Sequence, residues 1–296
     1  MANRQTQFDI FLAEEIRQHK GIAVPVRTGL LIRLLVRKAP CKKLHPNPDD
    51  EFCSPDVGPN YRIISEYEQR IQSIQAYNQK NYFEEPLIVE RIRPNGYMLM
   101  NGHHRWAAAL RRNIPVVPIR IVNLTQEMDI ERMLKNSKHQ KRVTLDLDDV
   151  VFRSDKDPHV EKALPFPWNL IYPQRLRLGI PALFRFLNNN GYDIWVYTSR
   201  YASMDDVQRF FRLHRLHVSG VVTGTARKNK MSAEAKERTE KLFSNQYSET
   251  LHIDNDMVLY IRSREKTFDE YPLSGSDLDW SREIMETIGK LAQHEG

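Results

Sequence analysis

The sequence predicts an α/β protein of two domains: a C-terminal parallel sheet with helices on both faces, preceded by a smaller α+β domain. Three observations predict it. From Val143 onward, short apolar runs alternate with helical stretches, the order of a parallel sheet whose strands are joined through helices. Before residue 124, two extended runs flank Pro94-Asn95-Gly96, a hairpin signal, and an alanine-rich helix follows. The 296 residues are enough for two cores of ordinary size. The expected divisions are a helical extension over 1–30, the α+β domain over 31–124, a helical linker over 125–142 and the parallel-sheet domain over 143–296.

Taken in order, Phe8, Phe11, Leu12 and Ile16 have the spacing of an amphipathic helix rather than the layout of a signal peptide. Leu31–Val36 alternates imperfectly and reads as a strand. Pro46-Asn47-Pro48-Asp49-Asp50 is a turn cluster. Ile64, Tyr67, Ile71 and Ile74 mark a helix. Leu87–Val89 and Tyr97–Met100 are the hairpin strands, Trp106–Arg111 the helix and Val116–Val122 a final strand. Met128, Met133 and Leu134 share a helix face that runs into the basic stretch Lys138–Arg142.

Downstream, strands are expected at Val143–Leu145, Ile194–Tyr197, Val218–Val222 and Thr250–Ile253. Helices are expected at Pro181–Asn189, Asp205–His214 and Ala233–Phe243. Asn190-Gly191 ends the first of these helices, and Ser203 to Asp206 has the spacing of a capping box for the second.

Composition sets bounds. Hydrophobic residues make up 41% and charged residues 28%, a globular range. The longest apolar runs, near Leu30–Val36 and Val116–Val122, are broken by arginine or proline, which excludes a membrane-spanning helix. Two cysteines, Cys41 and Cys53, have no metal-like or redox-like spacing and point to a reducing cytoplasm. The net charge of +6 permits a polyanionic partner such as nucleic acid without requiring one.

The decisive segment is Val143-Thr-Leu-Asp146-Leu-Asp148-Asp149-Val150, an apolar strand that runs straight into clustered carboxylates. Buried negative charge of this kind needs a compensating cation. In parallel sheets, ligands gather where these acids lie, at the carboxyl ends of strands. Three companions follow. Ile194–Tyr197 ends in Thr198-Ser199, hydroxyls suited to a phosphate oxygen. Arg227, Lys228 and Lys230 supply cations against developing negative charge. Leu251–Ile253 ends in Asp254-Asn255-Asp256, oxygen ligands suited to Mg²⁺. Asp149 reads as a turn residue, Ser199 and Arg200 as loop-shaping, and His252 and Trp195 as packing.

These four segments resemble the motifs of the haloacid dehalogenase (HAD) phosphohydrolase superfamily, in order, over roughly 143–296. The resemblance implies a Rossmannoid sheet and an Mg²⁺-dependent phosphatase, a hydrolase of phosphoric monoesters. It implies that Asp146 is the nucleophile that forms an aspartyl-phosphate, Asp148 the general acid/base and Thr198 a phosphoryl ligand. Lys230 or Lys228 is the motif-three lysine. The metal is implied to sit on Asp146, Asp254 and the carbonyl of Asp148, with Asp256 as a further candidate. The gaps between motifs are too short for a large cap domain, and Ser154–Gln174 is a candidate flap.

In the first half, the Tyr97–Met100 strand ends in Asn101 and turns through Gly102-His103-His104-Arg105 into a helix. Backbone N–H groups at a helix start, together with a cation, suit a phosphate. With Leu44-His-Pro-Asn-Pro48, this run resembles the ParB/sulfiredoxin fold over about 31–124. That resemblance implies nucleotide binding (ATP, ADP or CTP) at Gly102, His103, His104 and Arg105. Gly-His-His-Arg matches the free serine kinases, whose acidic base would fall on Asp50 or Glu51. The catalytic cysteine of sulfiredoxins is replaced by His103, which speaks against that activity.

The expected function is therefore a phosphatase with a nucleotide-binding, kinase-capable N-terminal domain, acting on nucleic-acid ends or a small phospho-metabolite. The alternatives are a nucleotide-regulated ParB-like DNA- or partner-binding protein, and a small-molecule kinase with a subsidiary second domain.

Overall fold

The computed structural model describes residues 2–76, 83–225, 233–262, 267–274 and 276–294. The chain divides into two compact units, and the boundary between them falls between Leu124 and Thr125.

The first unit contains α1 (Ala2–His19), β1 (Val24–Pro25), α2 (Leu30–Leu34), β2 (Arg37–Pro40), β3 (Leu44–Pro46), α3 (Tyr61–Ala76), β4 (Leu87–Arg93), β5 (Tyr97–Asn101), α4 (His103–Arg111) and β6 (Val116–Ile121). Its sheet runs β2-β6-β4-β5-β3, with β1 antiparallel to β4. Pairing is mixed: β4/β6 and β3/β5 are parallel, β4/β5 and β2/β6 antiparallel. Leu87, Val89, Leu99, Val117 and Ile119 pack with Trp106 and Ala107–Ala109 of α4 and with Ile64 and Ile71 of α3. Three alanines on α4 let that helix lie close to the sheet. On α1, Phe8 and Leu12 are buried, and Ile16 packs on the same core.

The segment Leu31–Val36, expected as a strand, is instead helix α2 followed by extended chain. Ile32 packs on the core while Leu31 and Leu35 are exposed, and the buried Arg33 guanidinium donates to the Thr28 carbonyl. The apolar run is too short for its spacing to separate the two periods.

The second unit contains α5 (Glu127–Lys135), β7 (Lys141–Asp146), β8 (Phe152–Arg153), α6 (Trp168–Ile171), β9 (Arg175–Leu176), α7 (Ile180–Asn189), β10 (Tyr192–Thr198), α8 (Met204–Leu213), β11 (Gly220–Thr223), α9 (Ala233–Gln246), β12 (Glu249–Ile253), β13 (Met257–Arg262), β14 (Thr267–Pro272) and α10 (Trp280–His294). The sheet order is β11-β10-β7-β12-β13-β14. The first four strands are parallel, and β13 and β14 continue the sheet antiparallel.

Alternation along the strands gives the sheet two covered faces. Val143, Leu145, Ile194, Val196, Val221 and Leu251 pack with apolar residues of α7, α8 and α10. Trp195 and Val222 point the other way and pack with Ile130 and Leu134 of α5 and with Phe243 and Tyr247 near the end of α9. The segment read as a linker is thus shared out: α5 packs on this sheet, and Lys141-Arg142 open β7. On the same side Tyr247 receives the Trp195 indole N–H and donates to Asp193, which fixes the start of β10. Strands β13 and β14 and helix α10 extend the sheet and its cover beyond the elements expected from the sequence.

Among the described residues, no helix is long and apolar enough to cross a membrane. Cys41 and Cys53 are free and buried.

Candidate functional sites

Strand β7 is central, with β10 on one side and β12 on the other. Leu145 pairs with Ile253, and Asp146 with Tyr197. Asp146, Thr198 and Asp254 therefore leave three adjacent parallel strands at nearly one level.

After Asp146 the chain does not enter a normal helix. It makes one π-helical turn, Leu147–Val151, capped by Asp146 itself. The N–H groups of Asp148 and Asp149 both donate to Asp146 Oδ1, at 2.7 and 3.0 Å. Leu147, Val150 and Val151 are buried and anchor the turn. Burial pushes the Asp146 carboxyl above its ordinary range; the two N–H donors oppose this, and the nearby Asp148 and Asp149 charges reinforce it. The site thus favours added positive charge.

Asp148 faces β10. Its Oδ2 accepts from Thr198 Oγ1 at 2.6 Å, and its Oδ1 pairs with Arg200 Nε at 2.9 Å. Thr198 is buried, and its hydroxyl also accepts the Arg200 N–H. Arg200, expected only to shape the loop, is an ion-pair partner of Asp148.

Asp254 follows β12. Its carboxylate accepts from the Asn255 N–H at 2.7 Å, and its carbonyl accepts from Trp280 Nε1 at 3.3 Å. Asn255, which the sequence gives no role of its own within the Asp254-Asn255-Asp256 motif, links the two acidic loops. Its Nδ2 donates to the Asp149 carbonyl at 3.2 Å, and its Oδ1 accepts from Arg153 and Arg177, each at 2.9 Å. Arg177 is 2% exposed, pairs with Asp277 and lies over the Trp280 ring at 4.0 Å. The neighbouring Asn255 was legible as part of the motif, but nothing in the sequence tied Arg177 or Trp280 to it.

Asp149 contributes its backbone to this network, while its side chain lies on the exposed face. Asp256 is exposed in the turn to β13, and its carbonyl accepts from Leu273. His252 is not in the core: it is exposed and bonds Thr144 Oγ1 at 2.9 Å. Trp195 is fully buried. Lys228 and Lys230, with Arg227, lie outside the described residues. The expected flap is bounded by a two-stranded ribbon in which Phe152 pairs with Leu176; within the segment Phe166 is exposed and Tyr172 buried.

In the first unit, β5 ends at Asn101 and Gly102 turns the chain into α4 with φ 98°. A side chain at Gly102 would also meet Leu87 Cδ2 at 2.5 Å. His103 is buried, with Nε2 3.4 Å from the Asn47 N–H and Nδ1 3.6 Å from Asp50. His104 Nε2 accepts from the Asn60 N–H at 3.2 Å, and burial holds its pKa below the ordinary value, with Asp50 opposing. Phe52 stacks on His103 and meets His104 edge-on. Arg105 donates to the Glu85 carbonyl at 2.7 Å. Asp50 caps the short turn at Glu51–Cys53 through the Phe52 N–H, and Glu51 is exposed. The loop after β3 and the start of α4 therefore form one cluster of imidazoles, a carboxylate and helix N–H groups.

Residues 62–138 match the family model of the ParB N-terminal domain. The match runs from α3 through β4, β5, α4, β6 and α5, and stops before β7. No curated protein matches. Among solved structures, the chain is similar to a C-terminally truncated chromosome-partitioning protein ParB from Caulobacter crescentus complexed with CTP-gamma-S. Identity is 23% over 36% of this chain and 56% of that one, with a TM-score of 0.25. A second structure of a C-terminally truncated ParB from Caulobacter crescentus, complexed to the centromeric parS site, matches at 22% identity over 35% and 50%, with a TM-score of 0.22. A conserved hypothetical protein from Pyrococcus furiosus matches at 12% identity over 84% and 94%, with a TM-score of 0.23. The chain spans about half the length of the ParB chains it matches.

Proposed function

We propose that the first unit is a ParB-like module that binds a nucleoside triphosphate or diphosphate at the turn into α4 and, when loaded, engages nucleic acid. The observation that carries this is the coincidence of the Gly102–Arg105 turn with the stretch that matches the ParB N-terminal domain. The N–H groups at the start of α4 and the neighbouring imidazoles suit phosphate oxygens, and His103 and Arg105 are positioning residues at that turn. The test is equilibrium binding of CTP, ATP and ADP, followed by duplex-DNA binding with and without the nucleotide across a salt series. Nucleotide binding lost with His103→Ala, and salt-sensitive DNA binding that depends on it, support the reading. Binding of neither ligand refutes it.

A specific observation favours a second activity, in the second unit: an Mg²⁺-dependent phosphomonoesterase of HAD type. Asp146 and Asp254 end adjacent strands in matched register, and Asp148 is fixed by Thr198. The donor set fits a hard divalent cation: oxygen ligands, one of them a carboxyl that burial disfavours as an anion. Asp146, Asp254 and the Asp148 carbonyl would hold Mg²⁺, which supplies charge neutralisation for an incoming phosphate.

Both N–H donors converge on Asp146 Oδ1, so Oδ2 is the oxygen that attacks phosphorus. Asp148 takes a proton from the water that hydrolyses the aspartyl-phosphate and passes it to the leaving alcohol of the next substrate, so the alcohol's proton comes from water in each cycle. Thr198 and Arg200 hold the Asp148 carboxyl in position for both transfers. Hydrolysis of an aryl phosphate with Mg²⁺, abolished by Asp146→Asn, tests this. Activity that persists in Asp146→Asn refutes it. Phosphate transfer from ATP or ADP that survives Asp146→Asn and fails with Arg105→Ala would instead identify a kinase in the first unit.

A further inference from the structure

Away from both sites, Glu15 and His19 stand one turn apart on α1 and face His45 on β3. Among the described residues, these three form the one group of three or more His, Cys, Asp or Glu side chains whose ligand atoms all lie within 4.8 Å of one another. The described carboxylates of the second unit do not form such a group.

The geometry points to a transition-metal site, of the kind that takes Zn²⁺, built from His19 Nδ1, His45 Nδ1 and Glu15 Oε2. His45 Nδ1 is 2.8 Å and His19 Nδ1 3.6 Å from the same oxygen, Glu15 Oε2. A tetrahedral zinc with bonds of about 2.0–2.1 Å sets its ligand atoms about 3.3 Å apart. The two observed separations bracket that value. Two imidazoles and one carboxylate are a common zinc donor set, with a fourth position left for water.

The competing arrangement is a plain His–Glu–His hydrogen-bonded staple. His19 Nδ1 is also 2.9 Å from the Glu15 carbonyl, a contact that metal binding would replace. The arrangement suits an ion in two respects. The His19 and His45 rings, stacked with centroids 3.8 Å apart, both border Glu15 Oε2, so a ring rotation that gives up the Glu15 carbonyl contact turns both Nδ1 atoms onto one ion. His45 is also closely packed: a Cβ on Gly96, at φ 95°, would lie 2.7 Å from His45 Nε2. Side-chain exposures of 14% to 18% leave the group sheltered yet reachable.

The consequence is local to the first unit. β3 continues into Asn47, whose N–H meets His103 Nε2. A metal that pins His45 to α1 steadies the loop that faces the start of α4.

The experiment uses the full chain stripped with a chelator and titrated with Zn²⁺ alone. An Asp146→Asn, Asp254→Asn background removes the oxygen ligands of the second unit. One zinc per chain is expected in that background, with affinity falling by more than about 100-fold in His19→Ala, His45→Ala. No binding, or binding unchanged by the histidine substitutions, overturns the proposal. X-ray absorption at the zinc edge on the background protein decides independently of whether the histidine variants fold. A shell containing two imidazoles supports the site, and an all-oxygen shell overturns it.

Discussion

Arg177→Ala is expected to destabilise the second unit by about 3 kcal/mol. The side chain is 2% exposed, and each of its contacts has a scale. Its hydrogen bond to Asn255 Oδ1 involves a charged donor, worth about 1.5–3 kcal/mol. Its stack on Trp280 at 4.0 Å adds about 0.5–2 kcal/mol. The pair with Asp277 adds at most about 1 kcal/mol, because that carboxylate is 43% exposed. Against these stands the cost of burying the guanidinium, which is strong enough to lower its pKa. The net of about 3 kcal/mol corresponds to a fall in Tm of about 6–12 °C for a unit of this size. Arg177→Met keeps most of the volume that packs over Trp280, so it costs less, about 1–2 kcal/mol. Urea unfolding followed by tryptophan fluorescence measures both. The same variants loosen the link from Asn255 to the Asp149 carbonyl, and on the proposed phosphatase reading aryl-phosphate turnover is expected to drop about 10-fold. An Arg177→Ala protein within 1 kcal/mol of wild type and fully active would refute the claim that Arg177 braces the two acidic loops.

Thr198→Val keeps shape but removes the hydroxyl that holds Asp148 and accepts the Arg200 N–H; on the proposed phosphatase reading turnover is expected to fall about 100-fold, and the lost charge-assisted bond, about 1.5–3 kcal/mol, lowers Tm by about 3–12 °C, read by steady-state kinetics and a thermal melt. Gly102→Ala forces a left-handed backbone on a residue with a Cβ that meets Leu87, costing about 2 kcal/mol in urea unfolding and weakening nucleotide binding. His104 has a folded-state pKa below its ordinary 6.5, and its neutral Nε2 accepts from Asn60. Its contribution to stability is therefore full above pH 6.5 and is lost as pH falls from there through the folded value. The unfolding midpoint of wild type should drop over that interval, and the drop should shrink in His104→Gln.

Much of this architecture was legible because its signals are local. The β4/β5 hairpin follows from Pro94-Asn95-Gly96, and α7 ends where Asn190-Gly191 said it would. The alternation of Ile194, Trp195 and Val196 belongs to a strand with two covered faces. Leu31–Val36 failed for the converse reason. Its conformation is set by Ile32 in the core and by Arg33 reaching Thr28, neither of which a run of six residues encodes. Helix α10 and strands β13 and β14 carry less periodic sequences, and their place depends on a sheet already formed. In the candidate site, the acids that end strands were readable from a short motif each. The partners that fix them were not: Arg200 looked like loop, and Arg177 and Trp280 meet Asn255 and Asp254 only through the fold.

The acidic cluster is a consequence of the sheet rather than an accident of its surface. β7 is flanked by parallel neighbours on both sides, so its carboxyl end is fixed by two registers at once. Asp146 and Asp254 cannot be moved apart without shifting Leu145 against Ile253, two fully buried residues. Such a shift would take apolar surface out of the core at several kcal/mol. The strand-end acids are thus held at their level by packing, and the charges of Asp148 and Asp149 beside Asp146 are offset in part by two N–H groups on Asp146 and by Arg200 on Asp148. Asp146 nonetheless stays above its ordinary carboxyl range, so a divalent cation placed there should raise the stability of the unit. A melt with Mg²⁺ that shifts Tm upward in wild type, and not in Asp146→Asn, Asp254→Asn, would show that the strand registers were built around an ion. An equal shift in both would show that the acids are only a solvated rim.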